Sequence, residues 1–75
     1  MEELLRILNS LHDDVDYTTE EHLVDDRILD SLDIVTLVTE IHAEFDVTIP
    51  PEELIPDNFN SAAAIYALIT RLDED

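Results

Sequence analysis

The chain holds 75 residues, with 20 aspartates and glutamates against three arginines and no lysine, for a formal net charge of -17. It has no cysteine, which excludes disulfides, thiolate nucleophiles and cysteine-ligated metals and leaves any thiol chemistry to an added group. The charge excludes direct nucleic-acid binding, and its self-repulsion works against a fold that buries only about 60% of the surface of the unfolded chain.

Glycine is absent, the prolines are confined to Pro50, Pro51 and Pro56, and apolar residues recur at helical spacing. These features predict one all-α domain over residues 1–75, a small helical bundle. No apolar run approaches the roughly 20 residues that span a bilayer, and Met1-Glu2-Glu3 is the reverse of a basic signal-peptide start. The expected setting is cytoplasmic, without membrane insertion.

The first helix is expected from Glu2 to His12, with Glu2 and Glu3 complementing its positive start and Leu4, Ile7, Leu8 and Leu11 forming one apolar stripe. Asp13 to Asp30 reads as a long acidic loop, unusual in a small domain unless something pins it. Tyr17, Leu23, Val24, Ile28 and Leu29 are the expected pins.

The second helix starts at Asp30-Ser31, which offers a capping residue, and carries Ile34, Leu37, Val38, Ile41 and Phe45 on one face. Leu32 and Val35 lie off that stripe. They either bury against the loop or form an exposed apolar patch for a partner. Val47-Thr48-Ile49 and Pro50 stop the helix. Pro51 followed by Glu52 and Glu53 suits the first turn of a short third helix, which Pro56 is expected to end. Asn60 or Ser61 caps a final helix with Ile65, Leu68, Ile69 and Leu72 in the core. The tail Asp73-Glu74-Asp75 opposes the helix dipole and is expected to fray.

Chemistry concentrates in Asp30-Ser31-Leu32-Asp33, a serine at the start of an amphipathic helix after a long loop. A hydroxyl in that place can leave a capping position at a cost of about 1 kcal/mol and still reach solvent. If it were esterified by a phosphate, the anion would sit beside free N–H groups at the positive end of the helix dipole. No basic side chain is then needed to hold the root of an anionic arm.

The stretch Ile28-Leu29-Asp30-Ser31-Leu32-Asp33-Ile34-Val35, continuing to Phe45, resembles the Asp-Ser-Leu helix of acyl and peptidyl carrier proteins. Val47-Thr48-Ile49-Pro50 is similar to the link that follows that helix in the family, so the likeness covers most of the chain. The tripeptide alone is a weak signal; combined with this length, acidity and downstream register it is a strong one.

The resemblance implies a four-helix bundle with a long loop between its first two helices and a short third helix. It implies that Ser31, in a motif with Asp30, receives 4'-phosphopantetheine from coenzyme A through a magnesium-dependent phosphopantetheinyl transferase. The arm's thiol would carry acyl or aminoacyl thioesters between an activating ligase and a downstream acyltransferase, while the chain itself, a monomer, catalyses nothing. Leu32, Asp33 and Val35 would form the surface those enzymes read.

Two departures bear on the pathway. Where the family usually has a glycine shortly before the serine, this chain has Asp26-Arg27-Ile28-Leu29. Thr36, Thr39, His42 and Ala43 stand where fatty-acid carriers show acidic residues and a methionine, which points away from bulk fatty-acid synthesis. The segment from Leu54 to Ser61, with its Phe59-Asn60-Ser61 ending, resembles the corresponding link of D-alanyl carrier proteins.

Plainer readings compete. Ser31 could be a simple helix cap. His12, His22 and His42 fit no compact zinc spacing and are expected to be solvated. A calcium loop counted from Asp14 would need glycine at its sixth position, where Thr19 stands. A hydrolase triad lacks its Gly-x-Ser-x-Gly elbow. The rival function is an acidic interaction module docking on a basic enzyme, or a carrier fold that is never modified; modification of Ser31 separates these from a working carrier.

Overall fold

A computed structural model describes residues 2–74, so the expectations that fall on Met1 and Asp75 lie outside the described residues. Among the described residues four α-helices follow in order, α1 (Glu2–Leu11), α2 (Ser31–Phe45), α3 (Pro56–Phe59) and α4 (Ala62–Glu74), with a 3-10 turn at Pro51–Glu53. α1 packs on α2 and on α4, and α3 packs on α4. The all-α bundle with a long first loop and a short third helix is as the sequence implies.

The stripes bury as their spacing predicts. Leu4, Ile7 and Leu8 of α1, Leu37 and Ile41 of α2, and Ile65, Leu68 and Ile69 of α4 form the core, flanked by half-buried Leu11, Ile34, Val38, Phe45 and Leu72. Val47, Ile49, Phe59 and Ala62 complete it. Val47 and Ile49 thus do more than stop α2, which ends where Asp46 turns left-handed (φ 55°) and its N–H reaches back to the His42 carbonyl.

The long loop is pinned at both ends of its path. Tyr17 is buried, and its hydroxyl lies 2.9 Å from the Leu8 carbonyl and 2.7 Å from that of His12, so the phenol ties the loop to the end of α1. Leu23 and Leu29 are fully in the core, Val24 and Ile28 at its edge. Asp16, within the stretch tested above for a calcium loop, accepts from the N–H and hydroxyl of Thr18 in a local turn.

Asn60 provides the second anchor. Its side-chain oxygen accepts from the N–H groups of Val24 (2.9 Å) and Asp25 (3.0 Å), and its carbonyl accepts from Leu23 at 2.9 Å. The choice of cap for α4 therefore falls to Ser61, whose hydroxyl accepts from Ala64 N–H at 3.0 Å. Replacing Asn60 by alanine is expected to cost about 1–3 kcal/mol, because two loop N–H groups lose their acceptor and one of them is half-buried. Urea denaturation of the variant checks this, with hydrogen exchange of the Val24 and Asp25 amides showing where the protection is lost.

Two expectations for the chain beyond Pro50 are corrected. Pro51, Glu52 and Glu53 make only a 3-10 turn, and Pro56 begins α3 instead of ending a helix. The reason is the residue before it: Ile55 is held extended (φ -116°, ψ 151°) as the proline ring demands, which breaks the helix and lets Pro56 occupy the first helical position. The turn is tied down by Arg71, which pairs with the Glu53 carboxylate, and by Asn58, whose amide donates to the Glu53 carbonyl at 2.8 Å. At the other end α4 continues through Asp73 to Glu74, further than the charges at its terminus imply.

Candidate functional site

Ser31 is the first residue of α2 and is exposed. The cap is Asp30: its side chain accepts from Asp33 N–H at 2.8 Å, and the Asp33 carboxylate reaches back to Asp30 N–H at 3.3 Å. This reciprocal pair is a capping box with aspartate at both positions. Ser31 is thereby relieved of the capping role, and freeing its hydroxyl carries no capping cost. With Asp33 N–H taken, the N–H groups of Ser31 and Leu32 are left without an intrahelical partner at the positive end of the dipole.

The other two serines are engaged: Ser10 donates to the Ile7 carbonyl at 2.6 Å, and Ser61 caps α4. Among the described residues, Ser31 is the one serine whose hydroxyl enters no hydrogen bond.

Leu32 is 72% exposed and Val35 60%. Of the two fates open to them, burial under the loop is excluded. Spaced three apart, they form an apolar step on the solvent side of α2 directly after Ser31. Their carbonyls accept the hydroxyls of Thr36 and Thr39, so that face presents methyl groups instead of free hydroxyl donors. Leu54 and Ile55 are also exposed, in the extended link before α3.

Asp33 behaves differently from Leu32 and Val35. Its carboxylate is only 22% exposed and lies 2.7 Å from His12 Nε2. His12, expected to be a solvated residue just inside α1, instead follows the helix end and bridges to α2. The bond from Asp33 raises the imidazole pKa above its ordinary 6.5, aided by the charges of Asp33, Asp14 and Asp30. The same bond, with help from the Asp30 backbone, lowers the Asp33 carboxyl below its ordinary 3.8.

His12 contributes stability below pH 6.5 and loses it as pH rises through its raised folded value; Asp33 contributes above pH 3.8 and loses it as pH falls through its lowered one. Of the other histidines, His22 approaches Asp25 at 3.8 Å and His42 approaches the Thr48 hydroxyl at 3.3 Å.

The loop reaches α2 through Arg27, which has a left-handed backbone (φ 60°). An L-residue with a Cβ loses roughly 1–2 kcal/mol there, whereas glycine loses only about 0.4–1 kcal/mol through its freer unfolded chain. Arg27→Gly is therefore expected to stabilise the protein by about 0.5–1 kcal/mol, reversing the usual effect of glycine, and thermal unfolding checks it. The geometry explains why a glycine suits this turn and shows that the arginine is held at some cost.

An exposed serine at the start of α2, relieved of capping and followed by an apolar step, is compatible with a protein that bears a covalently attached group and presents it to others. The N–H pair at the start of α2 suits the anionic root of such a group. Residues 2–69 match the family model described as the phosphopantetheine attachment site, and the chain belongs to that family. It is 38% identical over 71 residues to the D-alanyl carrier protein of Streptococcus mutans, an alignment covering 93% of this chain and 90% of that protein. With the D-alanyl carrier protein of Streptococcus thermophilus it shares 34% identity over the same shares of each chain. No solved structure matches the chain significantly. Its cofactor is covalently attached 4'-phosphopantetheine, which supplies the thiol that the sequence lacks. No helix among the described residues is long and apolar enough to cross a membrane.

Proposed function

We propose that Ser31 is the attachment point of the 4'-phosphopantetheine and that the chain works as one stand-alone domain carrying an aminoacyl thioester, with D-alanine as its cargo. The observation that carries the reading is the release of the Ser31 hydroxyl by the Asp30–Asp33 capping box, in a chain whose other two serines are engaged. The arm supplies a terminal thiol that holds the cargo as a thioester; the protein supplies the anchor, the helix-start N–H groups and the surface that partners read. Tethering raises the effective concentration of cargo at the next active site.

Leu32 and Val35 are the docking contacts in this reading, with Asp33 contributing charge at their edge. The partners are a magnesium-dependent phosphopantetheinyl transferase, an amino-acid-activating ligase that loads the thiol, and an acyltransferase that unloads it. The chain makes and breaks no bonds itself and works as a cytoplasmic monomer. The resemblance of Leu54–Ser61 to D-alanyl carriers now has a physical content: Phe59 fills the core, Asn60 anchors the loop and Ser61 caps α4.

The test is intact mass in two stages. Incubation with coenzyme A, magnesium and a broad-specificity transferase should add one phosphopantetheine; subsequent incubation with ATP, a D-alanine-activating ligase and D-alanine should add one alanyl residue that hydroxylamine removes. No gain in the first stage, in a folded sample, overturns the carrier reading. A first gain without the second overturns the cargo.

A further inference from the structure

The His12–Asp33 contact joins the end of α1 to the turn that bears Ser31, and nothing in the carrier reading requires it. His12 is itself fixed: its N–H donates to the Leu8 carbonyl at 3.0 Å, and its carbonyl accepts from the buried Tyr17 at 2.7 Å. From that anchored backbone its imidazole Nε2 reaches Asp33 Oδ2 at 2.7 Å, and the same oxygen accepts from Asp30 N–H at 3.3 Å. Ser31 lies between the two aspartates of this box. A displacement of the Asp33 carboxylate therefore alters its bond to Asp30 N–H, one half of the capping box that flanks the serine.

We propose that His12 is a positioning residue for Ser31, which in its protonated form clamps the first turn of α2 to the end of α1 and so orients the serine hydroxyl for modification. The inference rests on Ser31 as the attachment point. The groups facing the imidazole are Asp33 and Asp30 from the start of α2 and Asp14 from the loop. Tyr17, packed beside it, keeps its proton, since burial and then the charges of Asp14, Asp33 and Asp13 raise the phenol above its ordinary value.

The charged groups acting on His12 are anions that favour the imidazolium against the opposing effect of burial, and among the described residues Asp33 forms an ion pair with His12 alone. When the imidazole loses its proton it can still hydrogen-bond through Nε2, but without charge. The clamp is therefore firm at mildly acidic pH and slackens as pH rises through the raised value of His12.

The test compares wild type with His12→Gln, which retains an amide donor but no charge, using one transferase from about pH 5.5 to 8.5. The ratio of their kcat values for phosphopantetheine attachment cancels the transferase's own ionisations. It is expected to fall about threefold across the titration of His12, the change that a half-exposed ion pair supports, with KM little affected. A flat ratio overturns the proposal.

A second readout needs no modification. The Ser31 and Leu32 amide resonances should follow the His12 titration in wild type and cease to do so in Asp33→Asn. Amides that ignore His12 overturn the clamp even where Ser31 is modified. Amides that follow it in a chain that accepts no phosphopantetheine overturn the attachment reading instead, which keeps the two failures apart.

Discussion

Replacing Ser31 with alanine should abolish phosphopantetheine attachment while leaving the protein as stable as the wild type. In the proposed reading the arm is attached through the hydroxyl at the start of α2, and neither remaining serine offers a free one. The Ser10 hydroxyl is spent on a carbonyl of its own helix, and the Ser61 hydroxyl holds the first turn of α4. Stability is a separate matter. Were Ser31 the cap, its loss would cost about 1 kcal/mol; but Asp30 is the cap and Ser31 the first helical residue, exposed and with a free hydroxyl. Alanine is a good helix former there, so the change in stability should stay within about 0.5 kcal/mol. The measurement is intact mass after incubation with coenzyme A and a transferase, alongside thermal unfolding of the same preparation. A persistent mass gain would move the attachment site elsewhere. A loss of gain accompanied by a large drop in melting temperature would show that the serine serves the fold.

The capping box also shows what in this chain was legible and what was not. Long periodic segments declared themselves: the stripes of α1, α2 and α4 repeat often enough for their buried faces to be read from spacing alone. The boundary of α2 was harder because aspartate and serine are both good caps. The deciding signal is the pair Asp30 and Asp33 at the spacing of a reciprocal cap, a pattern usually sought with glutamate or glutamine at its second position.

Pro56 is ambiguous in the sequence because proline both ends helices and suits their first position, and only the extended backbone of Ile55 decides between the two. The His12–Asp33 contact spans 21 residues, so no periodicity could place the pair together; it exists because Tyr17 turns the loop back under the end of α1. The sequence leaves the exposure of Leu32 and Val35 open, and packing decides it by covering the opposite face of α2 with α1.

Phe59 left no periodic trace at all, since α3 is only four residues long, yet its loss should be the most damaging single change to the fold. The ring is completely buried, and truncating such a side chain to alanine costs about 3–5 kcal/mol in lost transfer energy and unfilled cavity. A chain of this length has a stability of about 4–11 kcal/mol, and self-repulsion among its acidic residues pushes it toward the lower end at low ionic strength. Phe59→Ala is therefore expected to be largely unfolded in dilute buffer, with the helical circular dichroism reduced and no cooperative thermal transition. Added salt should restore part of its structure, because screening relieves the charge repulsion that both proteins share. It should not close the gap between the variant and the wild type, because the cavity term carries no charge. Helical circular dichroism of both proteins at low salt, and their urea midpoints at the moderate salt where the variant regains structure, test this directly. A gap that vanished with salt would mean that Phe59 matters mainly by spacing acidic residues, and a gap below about 1 kcal/mol would mean that neighbouring side chains collapse into the space it leaves.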